Sequence, residues 1–232
     1  MNSRPKISII IPVVNETSGI NQTISHLLYQ VTSGSAVVEI IVVDGTPEGS
    51  TIAAIQHAAI VKLVSRKGRG MQMNAGASVA SGDLLLFLHA DTRLPDKALE
   101  LIVSAMQERT YVAGAFDLGI ASDQPVFRLI ERLASLRSRC TRIPYGDQAL
   151  FIRKGYFEQL GGFPNIPLME DVELMRRIKK RKDAIYIIPA RVLTSPRRWE
   201  REGVIRCTLR NWSLILLYLL GIHPEKLVKF YK

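Results

Sequence analysis

Five large apolar residues in a row, Leu84-Leu85-Leu86-Phe87-Leu88, run straight into His89-Ala90-Asp91-Thr92. A half-exposed strand alternates apolar and polar residues, whereas an unbroken run bounded by Asp83 and by Leu94-Pro95 is what a parallel strand covered on both faces carries. Side chains two apart on a strand share a face, so His89 and Asp91 are expected to project together beyond its carboxyl end. Open α/β sheets hold their ligands in that crevice. The stretch outlines a metal or phosphate site.

The remaining chain repeats the pattern. Lys6 to Val14 reads as the first, central strand and Glu39 to Asp44 as a second that also ends in a carboxylate, with a helix over Ile20 to Tyr29 between them. The turn Gly45 to Thr51 leads to another helix, Ile60 to Val64 to a third strand, and Arg66-Lys67-Gly68-Arg69-Gly70 to a small-residue helix, Met71 to Ala80. Beyond Pro95 the spacing predicts a helix to about Arg109, a strand at Val112 to Leu118 and a basic helix at Pro125 to Arg139. A short strand over Tyr145 to Arg153, the turn Leu160 to Pro164 and a helix from Met169 to about Lys182 follow. One last helix, Trp199 to Gly221, turns almost wholly apolar from Trp212 to Leu220. Strands alternating with helices at this spacing imply a mostly parallel central sheet with helices on both faces. At 232 residues and 47% hydrophobic content the chain is long enough for one large or two small domains around a full core.

Charge divides the chain where composition does not. Residues 1–116 hold 9 Lys+Arg and 9 Asp+Glu, and residues 117–232 hold 22 and 12, so the whole excess of +10 lies in the second half. That balance points to an anionic partner, a phosphate-bearing ligand or a membrane surface; no nucleic-acid motif accompanies it. Cys140 and Cys207 form no Cys-x-x-Cys pair, so neither a zinc cage nor a disulfide framework is indicated. The lead Met1 to Lys6 opens no stretch long enough for a signal peptide or a spanning helix, and a cytoplasmic location is expected.

Gly68-Arg69-Gly70 lacks the third small residue of a dinucleotide fingerprint, where Met73 stands, and does not follow the first strand. There is no phosphate-loop, nucleophile-elbow or His-Glu-x-x-His motif. Acids at the ends of elements remain: Asp44, Asp91, Asp147 and the pair Glu170-Asp171. Any one of them alone reads equally well as a cap or turn carboxylate, and His89 alone as a packed histidine.

Taken together, Ile9 to Glu16, Val42 to Thr51, Asn74-Ala75-Gly76 with Ser81-Gly82-Asp83, the acid at Asp91, Gly161-Gly162-Phe163 and Glu170 to Leu174 resemble glycosyltransferase family 2. These are the inverting nucleotide-sugar transferases of the single-domain GT-A fold. The resemblance is nearest to a small branch in which Tyr145-Gly146-Asp147-Gln148 and Arg197-Arg198-Trp199 occur. It implies a nucleotide-binding half (1–116), an acceptor-side half (117–198) and a C-terminal amphipathic helix (199–232). Pro12, Asn15 and Glu16 would wall the nucleotide pocket, Asp44 would meet the base, and Gly68, Arg69 and Gly70 the ribose or phosphate. Asp91 with His89 would hold a divalent cation, and Asp171, with Glu170 as the alternate, would be the base that deprotonates the acceptor. Asp147, Gln148, Arg197, Arg198 and Trp199 would face the acceptor or the diphosphate.

Two departures matter. The family's Asp-x-Asp is His89-Ala90-Asp91, and a nitrogen ligand moves the preference from magnesium toward manganese. Met73 stands where many members carry an arginine, which leaves the base open, a UDP-sugar being the favoured donor. The acceptor would be a sugar, a lipid-linked or a small molecule, with peripheral membrane contact through residues 199–221. A nucleotidyltransferase on a similar sheet and a non-catalytic basic binding protein on the same scaffold are the alternatives.

Overall fold

The β-branched stretches Lys6–Val13 and Val37–Asp44 form the parallel strands β1 and β2, joined by helix α1 (Ile20–Thr32). The computed structural model describes residues 5–32 and 36–231, so most of the N-terminal lead read above as too short for a signal peptide lies outside the described residues. A single turn of helix, α2 (Ser50–Ala53), precedes β3 (Val61–Val64); α3 (Arg69–Val79) then feeds β4 (Leu84–Phe87). A two-residue β5 (Thr92–Arg93), α4 (Ala98–Gln107), β6 (Tyr111–Ile120) and the long α5 (Pro125–Thr141) follow. After them come β7 (Leu150–Arg153), α6 (Lys154–Gln159), α7 (Glu170–Lys180), β8 (Ala184–Thr194), α8 (Arg197–Glu202), α9 (Val204–Leu219) and the short α10 (Pro224–Leu227).

The strands of the described residues join one sheet in the order β3-β2-β1-β4-β7-β6-β8-β5. Only β7 and β5 run against their neighbours; the other pairings are parallel, as expected for a mostly parallel sheet. Because β7 pairs with β4, the two halves of the chain share that sheet. Alternate residues of β1 point to opposite faces. Ile7, Ile9 and Ile11 pack with Ile20, Ile24 and Leu27 of α1 and Ile102 of α4, while Ile10 packs with Met73 and Ala77 of α3 and Met175 of α7. Helices thus cover both faces, which is why the Leu84 to Leu88 run carries no polar residue.

Several boundaries differ from the sequence reading, each for a local reason. β4 stops at Phe87, and a turn closed by the Thr92 amide donating to the His89 carbonyl (3.1 Å) carries His89 and Asp91. β1 lies between β2 and β4, so Asp44 and Asp91 do not end adjacent strands. Tyr145 to Arg153 is not one strand: Gly146–Gln148 is a 3-10 turn and Ala149 is left-handed (φ 51°) before β7 begins. The final helix is two, broken at Gly203, whose φ of 86° an L side chain rarely adopts. β8 and α6 were not anticipated. Cys140 and Cys207 are both free thiols.

Candidate active site

Three elements meet beyond the carboxyl ends of β1 and β4. Helix α7 begins after Met169, whose left-handed backbone (φ 69°) turns the chain so that Glu170 and Asp171 occupy the first turn. Asp171 Oδ2 accepts the Gly146 amide at 2.5 Å and Oδ1 the Val172 amide at 2.8 Å. Gly146 is wedged between two functional groups, for a Cβ there would lie 3.2 Å from both Asp171 Oδ2 and His89 Nε2. The turn His89 to Thr92 therefore faces the start of α7 across Gly146.

Arg69, at the start of α3, crosses to the same point and pairs with buried Glu170 (Nε to Oε1, 2.5 Å). Burial raises the Glu170 carboxyl while Arg69 opposes it, and the acids Glu170 and Asp171 hold the Arg69 guanidinium in its charged form against its own burial. His89 is pushed down to about 4 by burial and then by the Arg69 cation, so its imidazole is neutral at neutral pH with a lone pair available. Burial pushes Asp147 up to about 6, with Asp171 adding to the rise and Arg137 opposing it. The Arg137 guanidinium lies 3.2 Å from the centroid of the Tyr145 ring. Asp91 is more exposed, and Arg197 Nη2 sits 3.4 Å from its Oδ2 and 3.7 Å from Glu16 Oε2. A cavity of about 510 Å³ starts from Arg69, His89, Asp91, Asp147 and Asp171 and runs between α5 and α9 past Arg198 and Trp199.

Other expected site residues have different surroundings. Asp44 is fully buried, and its carboxylate is bound by its own loop: Oδ1 accepts Thr46 N (2.9 Å) and Thr46 Oγ1 (2.7 Å), and Oδ2 accepts Thr51 N (2.7 Å) and Ile52 N (3.2 Å). It caps α2, and in this arrangement the loop around it, not its oxygens, faces outward. Gln148 is likewise turned inward: its Oε1 accepts Ser138 Oγ (2.7 Å) and its Nε2 donates to the Phe116 carbonyl (2.8 Å), so it holds the 3-10 turn in place and is not presented to an acceptor. Gly70 packs against the Pro164 carbonyl, which a Cβ would approach to 3.1 Å, and Gly68 takes a φ of 143°. These glycines seat α3 against the 161–164 turn and aim Arg69 at Glu170. Pro12 lies near the end of β1 and Asn15 just beyond it in the left-handed region (φ 58°), and the Glu16 amide donates to Thr51 Oγ1 (3.1 Å). Arg198 stacks on the Tyr231 ring (3.9 Å), and Trp199 packs edge-on against Phe127 while donating to Thr208 Oγ1 (3.3 Å).

Two contributors escaped the sequence reading. Buried Gln72 donates to the carbonyls of Val13 and Val43, both at 2.8 Å, and so fixes the ends of β1 and β2 to each other. Its signal was a second amide, two residues before Asn74, in a helix of small residues. Tyr231, far along the chain, carries no motif at all.

A mostly parallel sheet with a turn-borne acid beyond β4, and a second acid at the start of a later helix, defines a GT-A type of transferase domain. The family model for Glycosyl transferase family 2 matches residues 8–160, two thirds of the chain, and the chain belongs to that family. It is 25% identical over 230 residues to the "Probable glycosyltransferase YdaM" of Bacillus subtilis (strain 168), covering 87% of this chain and 52% of the relative. It is 28% identical over 116 residues to the undecaprenyl-phosphate 4-deoxy-4-formamido-L-arabinose transferase of Aeromonas hydrophila, covering 47% of this chain and 36% of that protein. The chain thus spans about half the length, or less, of these curated relatives. Among solved structures it resembles the mannosyltransferase PcManGT of Pyrobaculum calidifontis, in complex with GDP-Man and Mn2+, with a TM-score of 0.63 at 20% identity over 83% of this chain and 57% of that one. S. aureus TarS 1-349 gives 0.59 at 17% identity over 82% and 61%. Both likenesses are of fold. The nucleotidyltransferase alternative has no support in this membership.

Proposed function

We propose that this domain transfers a glycosyl unit from a nucleoside-diphosphate sugar, a UDP-sugar in first place, to an acceptor hydroxyl with inversion, Asp171 acting as the base. The observation that carries the reading is the position of Asp171. It is half-buried, fixed by the Gly146 amide, and opens on a cavity that also contains His89 and Asp91. Each of its oxygens accepts one protein amide, which leaves lone pairs for an acceptor proton.

In the proposed step the acceptor oxygen bonds to the anomeric carbon as the bond from that carbon to the diphosphate breaks. The nucleoside diphosphate leaves with the electron pair, and the acceptor proton passes to Asp171. Glu170 is the weaker candidate, because its carboxylate is buried against Arg69. Arg197 and Arg198 stand at the same opening and suit the departing phosphate charge.

The family implies a divalent cation. No group of three His, Cys, Asp or Glu side chains among the described residues is placed to hold a metal. Asp91, exposed and already matched with a cationic group, and His89, with its neutral imidazole, fit a cation that takes its other ligands from a diphosphate and water. They do not fit one held by protein alone. When bound, such a cation, manganese before magnesium, offsets the charge of the leaving diphosphate.

That a structural neighbour binds GDP-Man and Mn2+ supports a nucleotide-sugar donor and a divalent cation. The lipid-linked substrate named for the Aeromonas relative supports an acceptor at a membrane, met through residues 199–221; no helix of the described residues is long and apolar enough to cross one. Thermal stabilisation by UDP and by GDP, each with and without manganese, tests the donor reading. Stabilisation by either nucleotide is expected to grow with the metal; no stabilisation by any nucleoside diphosphate would refute it.

A further inference from the structure

The cavity that begins at Asp171 does not stay polar. Between α5 and α9 its wall is made by Leu118, Ile130, Leu214 and Ile215, with the Trp199 ring. A sugar or a soluble polar acceptor has no use for such a lining, whereas an apolar chain is transferred into it favourably. Two residues belong both to this wall and to the exposed surface, Leu133 of α5 and Trp212 of α9. They mark where the cavity opens.

That opening lies in an apolar surface built by two helices. On α5, Val126, Leu129, Leu133 and Leu136 are exposed at spacings of three and four, one stripe of the helix. On α9, Ile205, Leu209, Trp212, Leu216 and Leu219 make a second stripe of the same spacing. Leu129 is 58% and Ile205 73% exposed. Single exposed leucines mean little, but two parallel patterns flanking one opening mark an interaction face.

Charge selects the occupant. α5 carries Arg128, Arg132, Arg137 and Arg139 against the single, buried Glu131, and α9 carries Arg206 and Arg210 with no acid. Arg132 and Arg206 are exposed and have no ion-pair partner among the described residues. A second copy of the chain laid on this face would set arginine against arginine. An anionic lipid surface would neutralise them.

Resting on the glycosyl-transfer reading, we propose that the acceptor is an amphiphile. Its apolar chain occupies the cavity between α5 and α9, its hydroxyl is at Asp171, and it enters from an anionic membrane on which both helices lie. α9, at 16 residues, lies along the surface in this arrangement and does not span it.

The chain's two tryptophans are both in the cavity wall, which makes fluorescence the natural readout. Vesicles of phosphatidylglycerol and phosphatidylcholine with brominated acyl chains should quench the emission at low salt, and phosphatidylcholine vesicles should do so at least tenfold more weakly. The double variant Leu129→Glu, Leu209→Glu, at exposed sites outside the reacting groups, should lose vesicle binding and keep its affinity for nucleoside diphosphate. Octyl glucoside below its micelle concentration should bind at least tenfold more tightly than glucose, and Ala134→Phe, which fills the cavity wall, should remove that difference while vesicle binding persists. Absence of quenching by the anionic vesicles overturns the proposal, as does equal affinity for glucose and octyl glucoside. A concentration-dependent dimer abolished by the double variant would assign the face to a second copy and overturn it too. UDP and GDP binding, followed in the same samples, keeps the readings apart: its absence counts against the donor assignment, and its presence beside failed vesicle binding counts against the membrane proposal alone.

Discussion

Asp171, the proposed base, and Asp44 differ in what holds their carboxylates. Asp171 keeps lone pairs facing the cavity, so Asp171→Asn should retain nucleotide and metal affinity while transfer falls by roughly two orders of magnitude or more, the usual worth of a positioned base. The asparagine oxygen can still accept the Gly146 amide, so the fold should hold; near-wild-type turnover in this variant would remove Asp171 from the role. Gly146→Ala probes the same spot from the other side. Its Cβ would press on Asp171 and His89 at 3.2 Å, and transfer should fall with little change in melting temperature. Asp44, by contrast, spends its carboxylate on its own loop. Burial pushes its carboxyl up, but the Thr46, Thr51 and Ile52 donors together outweigh that and hold it below its ordinary 3.8. With the folded value depressed, the unfolded chain binds more protons as the pH falls. The stabilisation is therefore present above about 3.8 and is lost on descending through the folded value. Asp44→Asn should cost about 1–3 kcal/mol at neutral pH, and its stability should depend less on pH below about 5 than the wild type's, as thermal melts across pH would show.

At the scale of elements, the motif Asn74-Ala75-Gly76 and the turn Gly161-Gly162-Phe163 prove to be two sides of one joint. Asn74 donates to the Phe163 carbonyl (2.8 Å) and accepts its amide (2.9 Å), and a Cβ on Gly162 would come within 2.7 Å of Asn74 Oδ1. This joint sets where α7 starts, and hence where Asp171 points. Asn74→Ala should therefore lower stability by about 1–3 kcal/mol, roughly 2–4 °C of melting temperature for each kcal/mol, and should lower transfer further than the melting shift explains. Unchanged transfer at saturating substrate would confine the joint to stability. The same elements show what was legible in the residues. β1, β2 and the run at β4 were readable because burial on both faces leaves long apolar stretches. β8 is interrupted in the sequence by Pro189, which has no amide to donate to a ladder. Pairing with β6 steps from Phe116–Ile188 to Asp117–Arg191, so Pro189 and Ala190 sit in a bulge where no ladder amide is required. The shared oxygens of Asp44 and the inward turn of Gln148 were invisible for another reason: a sequence gives the residue and its place at an element end, not which amides arrive there.

Across the whole molecule, the neutral first half and the basic second half meet at Arg197, whose guanidinium lies between Glu16 and Asp91. The pair is exposed, and such pairs contribute about 0–1 kcal/mol, so the contact is weak enough to be displaced by an incoming ligand. Its two possible effects have opposite signs. Toward a bare divalent cation, Arg197 competes for Asp91 and lowers affinity; toward a nucleoside diphosphate bound together with the cation, it adds positive charge beside the phosphates and raises affinity. Calorimetric titration separates them. Manganese alone should bind the wild type weakly, since no three-ligand group among the described residues encloses it, and far more tightly once UDP or GDP is present. In Arg197→Ala, manganese alone should bind up to about fivefold more tightly, the equivalent of about 1 kcal/mol, and the nucleotide in the presence of manganese should bind less tightly than to wild type. A variant in which both affinities move in the same direction would show that Arg197 acts on the fold of the opening and not on the charge within it.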